Sequence, residues 1–276
     1  MAQTKPLVSV VMPAYNCEKF IAAAIESILS QTLKDFEFII VDDCSTDKTG
    51  IIVRSYLKKD KRIKLIRNRK NLQIAKTLNK AVAMARADII VRMDSDDYSY
   101  PQRLEMQYKF LKSHPKVAVV GANMDIMNSK GKIISKREYP SKSEDLKKIS
   151  FRYSPFAHPS VVFRKKIFDE FGGYDYKMVP CEDIDLWFKI GSKYELANIP
   201  KTLLKYRMVI SSNSHKDLKS LELLGFKIKL KAITKHGYKI TPGDIVFNTL
   251  QFISLWFMSP MQRIYLYDFL RSRGLI

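Results

Sequence analysis

Between residues 88 and 98 the chain reads Asp88-Ile89-Ile90-Val91-Arg92-Met93-Asp94-Ser95-Asp96-Asp97-Tyr98. A short apolar run ending on clustered acids, with Pro101 opening a helical pattern soon after, predicts a buried strand that delivers carboxylates to a sheet edge. In an extended backbone side chains at i and i+2 point the same way, so Asp94 and Asp96 face a common ligand while Asp97 begins the turn. Carboxylates packed this closely repel one another and are driven toward their neutral form unless a cation or a donor sits among them. A hard divalent cation such as Mg²⁺ meets that need and takes one or two protein carboxylates plus substrate phosphate oxygens, which points to a nucleoside-diphosphate ligand. Taken alone, the same D-x-D-D also serves as a helix cap and a solvated turn.

A second acidic group stands in Pro180-Cys181-Glu182-Asp183-Ile184-Asp185-Leu186-Trp187. Ile184, Trp187 and Phe188 supply an apolar helix face, and Glu182 and Asp183 fall in the first turn, where the helix dipole favours anions. Capping by itself accounts for one acid there.

The elements that must position these groups alternate. Residues 8–12 are a continuous apolar strand closed by Pro13-Ala14-Tyr15-Asn16, and 18–30 show helical spacing at Ile21, Ile25, Ile28 and Leu29. Residues 36–41 form a second strand that ends on Asp42, Asp43 and Asp47, with Ser45 to Asp47 capping a helix through Ile51, Ile52 and Tyr56. A third strand at 63–66 and a helix at 74–87 follow. This α/β order predicts a doubly wound, largely parallel central sheet with helices on both faces, whose ligands bind at the carboxyl ends of the strands. Three successive strands end in polar clusters, so the metal reading gains over the capping one. No G-x-G-x-x-G and no G-x-x-x-x-G-K-[ST] occurs, which leaves phosphate handling to the metal and nearby Lys or Arg.

The second half is read as a helix at 104–111 with Arg103 and Gln107 on a surface face, a short strand at 117–120, and a turn at 128–132 that makes a hairpin. A polar helix spans 141–149, Phe156-Ala157-His158-Pro159-Ser160 precedes a strand at 161–163, and Gly172-Gly173 stops a helix.

With 276 residues at 46% hydrophobic and 28% charged, the composition is globular and excludes a disordered chain. A net charge of +20 favours a polyanionic partner, namely nucleic acid, an anionic membrane surface or phosphorylated substrates. The excess is concentrated after residue 200, where 13 Lys and Arg stand against 4 Asp and Glu. Cys17, Cys44 and Cys181 are odd in number and lack metal-ligand spacing, and the N-terminus lacks a signal-peptide core, so a cytoplasmic protein is expected.

Val8-Ser9-Val10-Val11-Met12-Pro13-Ala14-Tyr15-Asn16, Ser27-Ile28-Leu29-Ser30-Gln31-Thr32, Ile40-Val41-Asp42-Asp43-Cys44-Ser45-Thr46-Asp47 and Asp94-Ser95-Asp96-Asp97, in that order, resemble the signatures of family 2 glycosyltransferases with the GT-A fold. The resemblance covers about 1–210, with a nucleotide-sugar half near 1–100 and an acceptor half near 101–210, and leaves 211–276 as a basic, aromatic helical extension. It implies an inverting transfer of sugar from a nucleoside-diphosphate sugar to a hydroxyl of a glycan or lipid-linked acceptor, in cell-surface polysaccharide biosynthesis. On this resemblance Pro13, Ala14, Tyr15, Asn16 and Asp43 hold base and ribose, Asp94 and Ser95 reach ribose or sugar, and Asp96 and Asp97 support Mn²⁺ or Mg²⁺, with Asp96 also near the donor. Lys76 stands near a position where relatives carry a nucleotide-contacting Arg. Asp183 matches the catalytic base with Glu182 orienting it, and His158 and Trp187 lie on the acceptor side. The family's Arg-x-His after Tyr206 is here Arg207-Met208-Val209, which leaves His215 as the substitute.

The run at 245–258 is too short and too polar to span a bilayer, which takes about 20 apolar residues. Two readings stand: core packing of a helical tail, or an interfacial anchor with Phe252, Leu255, Trp256 and Phe257 entering lipid and Lys227, Lys229, Lys231 and Lys235 on anionic headgroups. Two rival functions are a metal-dependent nucleotidyltransferase and a basic nucleic-acid-binding protein. The latter leaves the acids at three strand ends without a purpose, so no nucleic-acid partner is expected.

Overall fold

The computed structural model describes residues 5–208 and 218–259, together with 262, 263, 265, 266, 269 and 270. His215, the expected substitute for the missing family histidine, lies outside the described residues.

Four strands, β1 (Val8–Ala14), β2 (Phe36–Asp42), β3 (Ile63–Arg67) and β4 (Ile89–Arg92), lie parallel in the order β3-β2-β1-β4, joined by helices α1 (Ile21–Leu29), α2 (Thr49–Leu57) and α3 (Gln73–Ala83). β1, β2 and β4 are buried at every residue, which is why the sequence shows unbroken apolar runs there instead of alternation. Successive side chains leave the sheet on opposite faces. Val10, Met12, Phe38 and Ile40 pack with α1 residues such as Ile25 and Ile28, whereas Val11, Ile39 and Val41 pack with Leu78 and Val82 of α3. Strand order reverses between β1 and β4, so a crevice opens at the carboxyl ends of those two strands.

The second half continues the same sheet with mixed direction. Its elements are β5 (Tyr98–Ser99), α4 (Arg103–Ser113), β6 (Val117–Met127), β7 (Ile133–Arg137), α5 (Ser143–Ile149), β8 (Val162–Arg164), α6 (Lys165–Glu170), α7 (Glu182–Gly191) and β9 (Glu195–Arg207). β8 runs antiparallel to β4 and β6, β9 is parallel to β6, β5 is antiparallel to β9, and β7 forms the expected hairpin with β6. Gly121 of β6 lies opposite Asn198 of β9, where a Cβ would collide with the Asn198 amide and the Phe156 ring.

Several expectations are corrected. The strand read as 117–120 extends to Met127 and stays buried, its polar members each finding a donor: Asn123 accepts from the Tyr139 amide at 3.0 Å, and Asp125 Oδ2 from the Tyr100 hydroxyl at 2.5 Å, while Asp125 Oδ1 has none among the described residues. The helix read as 74–87 ends at Ala83. Arg103 and Gln107, expected on a surface, are both 0% exposed, because each finds buried carbonyl acceptors.

In the C-terminal part, α8 (Leu218–His236) packs on α7 through Ile228 and Ala232 against Phe188, Cys181 and Phe151. Lys231 reaches Asp185 at 2.8 Å, and Lys229 donates to Asn248 of α9 (Pro242–Phe257) at 2.7 Å, so neither is available to a headgroup as the sequence reading had it. Leu255 is likewise half-buried. No helix among the described residues is long and apolar enough to cross a membrane.

Candidate active site

At the end of β1, Asn16 takes a left-handed φ of 46°, a conformation its short polar side chain tolerates. Its amide donates to Ser45 Oγ at 3.1 Å and its Oδ1 accepts from the Thr46 amide at 2.8 Å, so the loops after β1 and β2 are tied together. Asp43 is 4% exposed. Its amide donates to Ala14 O, and its Oδ1 accepts from Asn68 Nδ2 at 2.7 Å and from the Leu72 amide at 2.8 Å, so it also fixes the loop before α3. Cys44 and Gln73 are left-handed too, at 66° each. Three non-glycine residues in this sparsely populated region surround one crevice, where such strain is characteristic of ligand sites.

The crevice is a cavity of about 760 Å³ lined by Pro13, Ala14, Tyr15, Asp43, Asn71, Gln73, Ile74, Thr77, Asp94, Ser95, Val179 and Pro180. Of the residues predicted to hold the donor, six lie in its wall, while Asn16 braces two of its loops from behind. Lys76 lines an adjoining cavity of about 290 Å³, its Nζ 4.5 Å from the Tyr176 ring centre.

β4 stops at Arg92, so Asp94 to Asp97 form the turn into β5 instead of riding on an extended strand. The turn draws in a third acid: Asp94, Asp96 and Asp97 present oxygens within 4.8 Å of one another. Asp94 Oδ2 accepts from Arg92 Nη1 at 2.6 Å, and Asp97 Oδ1 accepts from the Arg207 amide at 2.8 Å. Arg207 Nε donates to Asp96 O at 2.8 Å and its guanidinium covers the Phe20 ring, which locks the turn to the end of β9. Beneath the turn the buried Arg103 donates to Arg92 O at 2.6 Å and to Gln107 Oε1 at 3.0 Å.

Burial raises Asp96 to about 6 and Asp97 well above the usual carboxylate range, with the Asp94 charge acting in the same direction on both. Asp97 Oδ2 is buried without a hydrogen-bond partner among the described residues. Three crowded carboxylates, two of them pushed toward neutrality and one with an orphaned oxygen, fit a hard divalent cation and its preference for oxygen donors.

Glu182 and Asp183 open α7 just after the crevice wall at Val179 and Pro180, and neither is among the residues that line the cavity. Burial pushes Asp183 up to about 6, opposed by a backbone amide and by Arg92, and pushes Glu182 up to about 7, with the Asp183 charge adding to it. Glu182 Oε2 has no partner among the described residues. Arg92, 3% exposed, therefore acts electrostatically on Asp94 and on the α7 acids alike, and is the cation common to both acidic groups.

His158 pairs through Nε2 with the Tyr174 hydroxyl at 2.9 Å, and burial together with the Arg92 charge holds it well below the usual histidine range, hence neutral. Trp187 does not face an acceptor: it is 1% exposed, its ring packed among Phe156, His158 and Tyr174. An i+4 neighbour of Asp183 on a helix covered by β-sheet and α8 points inward.

Sequence reasoning missed Arg92 and Tyr174 as site residues, placed Arg103 on a surface, and noted Arg207 only where the family's Arg-x-His breaks off. Arg92 carries a signal nonetheless, since a charge at the last position of an apolar strand must find a buried partner.

The Glycosyl transferase family 2 profile matches residues 9–172, from β1 past the end of α6. An uncharacterized glycosyltransferase of Methanocaldococcus jannaschii is 36% identical over 226 residues, covering 80% of this chain and 78% of that one. The O-antigen biosynthesis glycosyltransferase WbnJ of Escherichia coli is 31% identical over 229 residues, covering 81% and 88% respectively. The backbone resembles the mannosyltransferase PcManGT of Pyrobaculum calidifontis, solved in complex with GDP-Man and Mn²⁺, with a TM-score of 0.65, 16% identity and coverage of 99% of this chain and 87% of that one. At that identity the likeness is one of fold, the GT-A fold. The chain belongs to glycosyl transferase family 2.

Proposed function

We propose that the protein is an inverting, metal-dependent glycosyltransferase that moves a sugar from a nucleoside-diphosphate sugar to a hydroxyl on a glycan or lipid-linked acceptor in cell-surface polysaccharide assembly. The observation that supports this reading is a crevice walled by Asp43 at the end of β2 and Asp94 after β4, with Asp96 and Asp97 clustered on Asp94 and the acids of α7 following the wall residues Val179 and Pro180. Pro13, Ala14, Tyr15 and Asp43 form the wall for base and ribose, with Asp94 and Ser95 next to them toward the sugar. Lys76 sits beside the entrance, a cation for the diphosphate.

Asp96 and Asp97 would hold Mn²⁺ or Mg²⁺, which when bound offsets the charge developing on the departing diphosphate. Asp183, raised to about 6, lies near the ambient pH, where a general base works best. It takes the proton of the acceptor hydroxyl as that oxygen bonds to the anomeric carbon and the carbon–phosphate-oxygen bond breaks on the opposite face. Glu182 packs behind it and, where protonated, keeps a second negative charge away from the base. His158, held neutral, sits beside α7 on the acceptor side.

The acceptor class draws on the O-antigen role named for WbnJ, and the donor and metal classes on the GDP-Man and Mn²⁺ bound by PcManGT. The place of work is the cytoplasmic face of the membrane. The test is to incubate the purified chain with a panel of nucleoside-diphosphate sugars and Mn²⁺. Release of nucleoside diphosphate supports transfer, whereas release of pyrophosphate would make the protein a nucleotidyltransferase. Asp183→Asn is expected to keep donor binding and lose transfer by about 10²–10⁴-fold; loss of both in parallel would remove Asp183 from the role of base.

A further inference from the structure

α9 is built the wrong way round for a helix on a water-exposed surface. Its sequence begins with Thr241 and Asp244 in a capping box, which fixes where the helix starts and hence which side faces the protein. That inner side is polar. Asp244 accepts from Arg152 Nε at 2.8 Å, Asn248 Nδ2 donates to Phe151 O at 3.1 Å, Lys229 Nζ donates to Asn248 and Gln251 at 2.7 and 3.4 Å, and Arg263 donates to Ser254 at 3.0 Å. Burial lowers Lys229 to about 8.

The outer side is apolar. Ile245, Val246, Leu250, Ile253, Trp256 and Phe257 are all exposed, Phe257 to 82%, and on a helix they fall within an arc of about 140°. From Ile245 to Phe257 the stripe runs for about 18 Å of the helix. Soluble proteins seldom leave so continuous an apolar surface to water, and where they do it marks a contact.

The neighbouring helix says what kind. α8 runs beside α9, with Phe226 against Phe252 and Lys229 against Asn248, and Lys219 Nζ lies 3.9 Å from the Trp256 ring centre, so the outer faces of the two helices meet. The exposed positions of α8 intersperse Leu223 and Leu230 with Lys219, Lys227 and Lys235. Long lysine stems lie along apolar surface while their ammonium groups reach the polar boundary, the arrangement of an interfacial helix on anionic headgroups. A second copy of this chain fits less well: a two-fold contact would set the same lysine fringe against itself, in a chain already at +20.

We infer that the joined outer faces of α8 and α9 dock on an anionic lipid surface, with the Ile245–Phe257 stripe entering the boundary between headgroups and acyl chains. The use of such docking, to bring the crevice to an acceptor carried by lipid, rests on the transferase reading; the docking itself does not.

The full chain is sedimented with vesicles of phosphatidylcholine alone and with about one third phosphatidylglycerol. Binding to the anionic vesicles, weakened by salt, is expected together with a blue shift of tryptophan emission, which reports Trp256 because the other tryptophan, Trp187, is buried. The double substitution Leu250→Glu, Phe257→Glu is expected to weaken vesicle binding at least about tenfold while leaving thermal stability and vesicle-free donor turnover unchanged. Wild-type protein left in the supernatant with both vesicles, or a double variant that sediments like wild type, would overturn the inference. So would a lipid-free dimer that this variant dissociates, since a second copy would then cover the face. Donor turnover without vesicles reports the transferase reading separately: its absence in protein that still binds lipid would remove that reading and leave the docking in place.

Discussion

Replacing Arg103 with methionine tests whether the acidic turn depends on the cation beneath it. The side chain is fully buried, with Nη2 on Arg92 O at 2.6 Å and Nε on Gln107 Oε1 at 3.0 Å, and it feels the charges of Asp97 and Asp94. Methionine fills most of the volume but donates nothing. Each buried acceptor left unpaired costs about 1–3 kcal/mol. Gln107 keeps its bonds from Nε2 to Val120 O and Ser160 O, but its Oε1 loses the Arg103 donor as the Arg92 carbonyl does, so two buried acceptors are affected. Allowing for the relieved burial of a guanidinium, the net is about 3 kcal/mol, which in a chain of this size lowers Tm by about 6–12 °C. The turn also loses a positive charge below it, so Asp97 is driven further toward neutrality and Mn²⁺ stabilises the variant less. Arg103→Lys restores charge without the fork, and is expected to regain the Mn²⁺ response before it regains Tm. Calorimetric melting with and without Mn²⁺ reads both effects. A methionine variant that melts within about 2 °C of wild type and keeps the full Mn²⁺ response would refute the reasoning, because the guanidinium would then neither brace the turn nor balance its charge.

Asp96→Asn removes one of three mutually repelling carboxylates, so the apo fold should persist or gain slightly in Tm while the Mn²⁺-induced thermal shift and donor turnover disappear; undiminished metal-dependent turnover would take the metal away from Asp96. Because burial raises Asp183 to about 6, a base working there is lost as pH falls, so kcat/KM should drop about tenfold per pH unit on the acid side, and a profile flat between about pH 5 and 8 would count against it. Glu37 carries the opposite sign: burial works to raise it, but bonds from Lys64, Ser9 and Arg86 outweigh that and hold it at about 2 against an ordinary 4.5. A depressed carboxylate contributes stability above its unfolded value, here about 3 kcal/mol, which vanishes as pH falls from about 4.5 toward 2. Urea unfolding across that range should show the decline, and Glu37→Gln should abolish its steepness.

The N-terminal half was legible because each β-α step carries its own local signal. β1 and β2 are apolar throughout, their loops end on polar clusters, and the crossovers show helical spacing, so no long-range knowledge was needed to set Pro13, Asp43 and Asp94 at one sheet edge. The stretch from β6 to β9 hid its strands. β6 holds Asn123 and Asp125, and β9 holds Pro200, Lys201 and Lys205, which break the apolar pattern; partners such as Tyr139 and Tyr100 that satisfy β6 lie about 15–25 residues away, outside any local window. The C-terminal helices stayed open between two readings for a related reason. Hydropathy gave α9 an apolar face, but only the Asp244 and Asn248 bonds to Arg152 and Phe151 show that this face points outward.

The same reasoning explains why arginines were the residues missed at the site itself. A carboxylate at a strand end advertises itself, whereas its counter-charge stands in the preceding strand or a later helix and looks like ordinary surface. Arg92 pairs with Asp94 at 2.6 Å and also pulls on Glu182 and Asp183, some 90 residues further along the chain. Were it absent, the Asp94 turn and the α7 acids would be two negative groups within each other's field with no shared counter-charge, each raising the other's proton affinity. With it buried between them, the turn can carry charge for a cation while Asp183 remains within reach of ionisation near neutral pH. The acids determine what chemistry the crevice can perform, and a strand-end arginine determines that two acidic groups can share it.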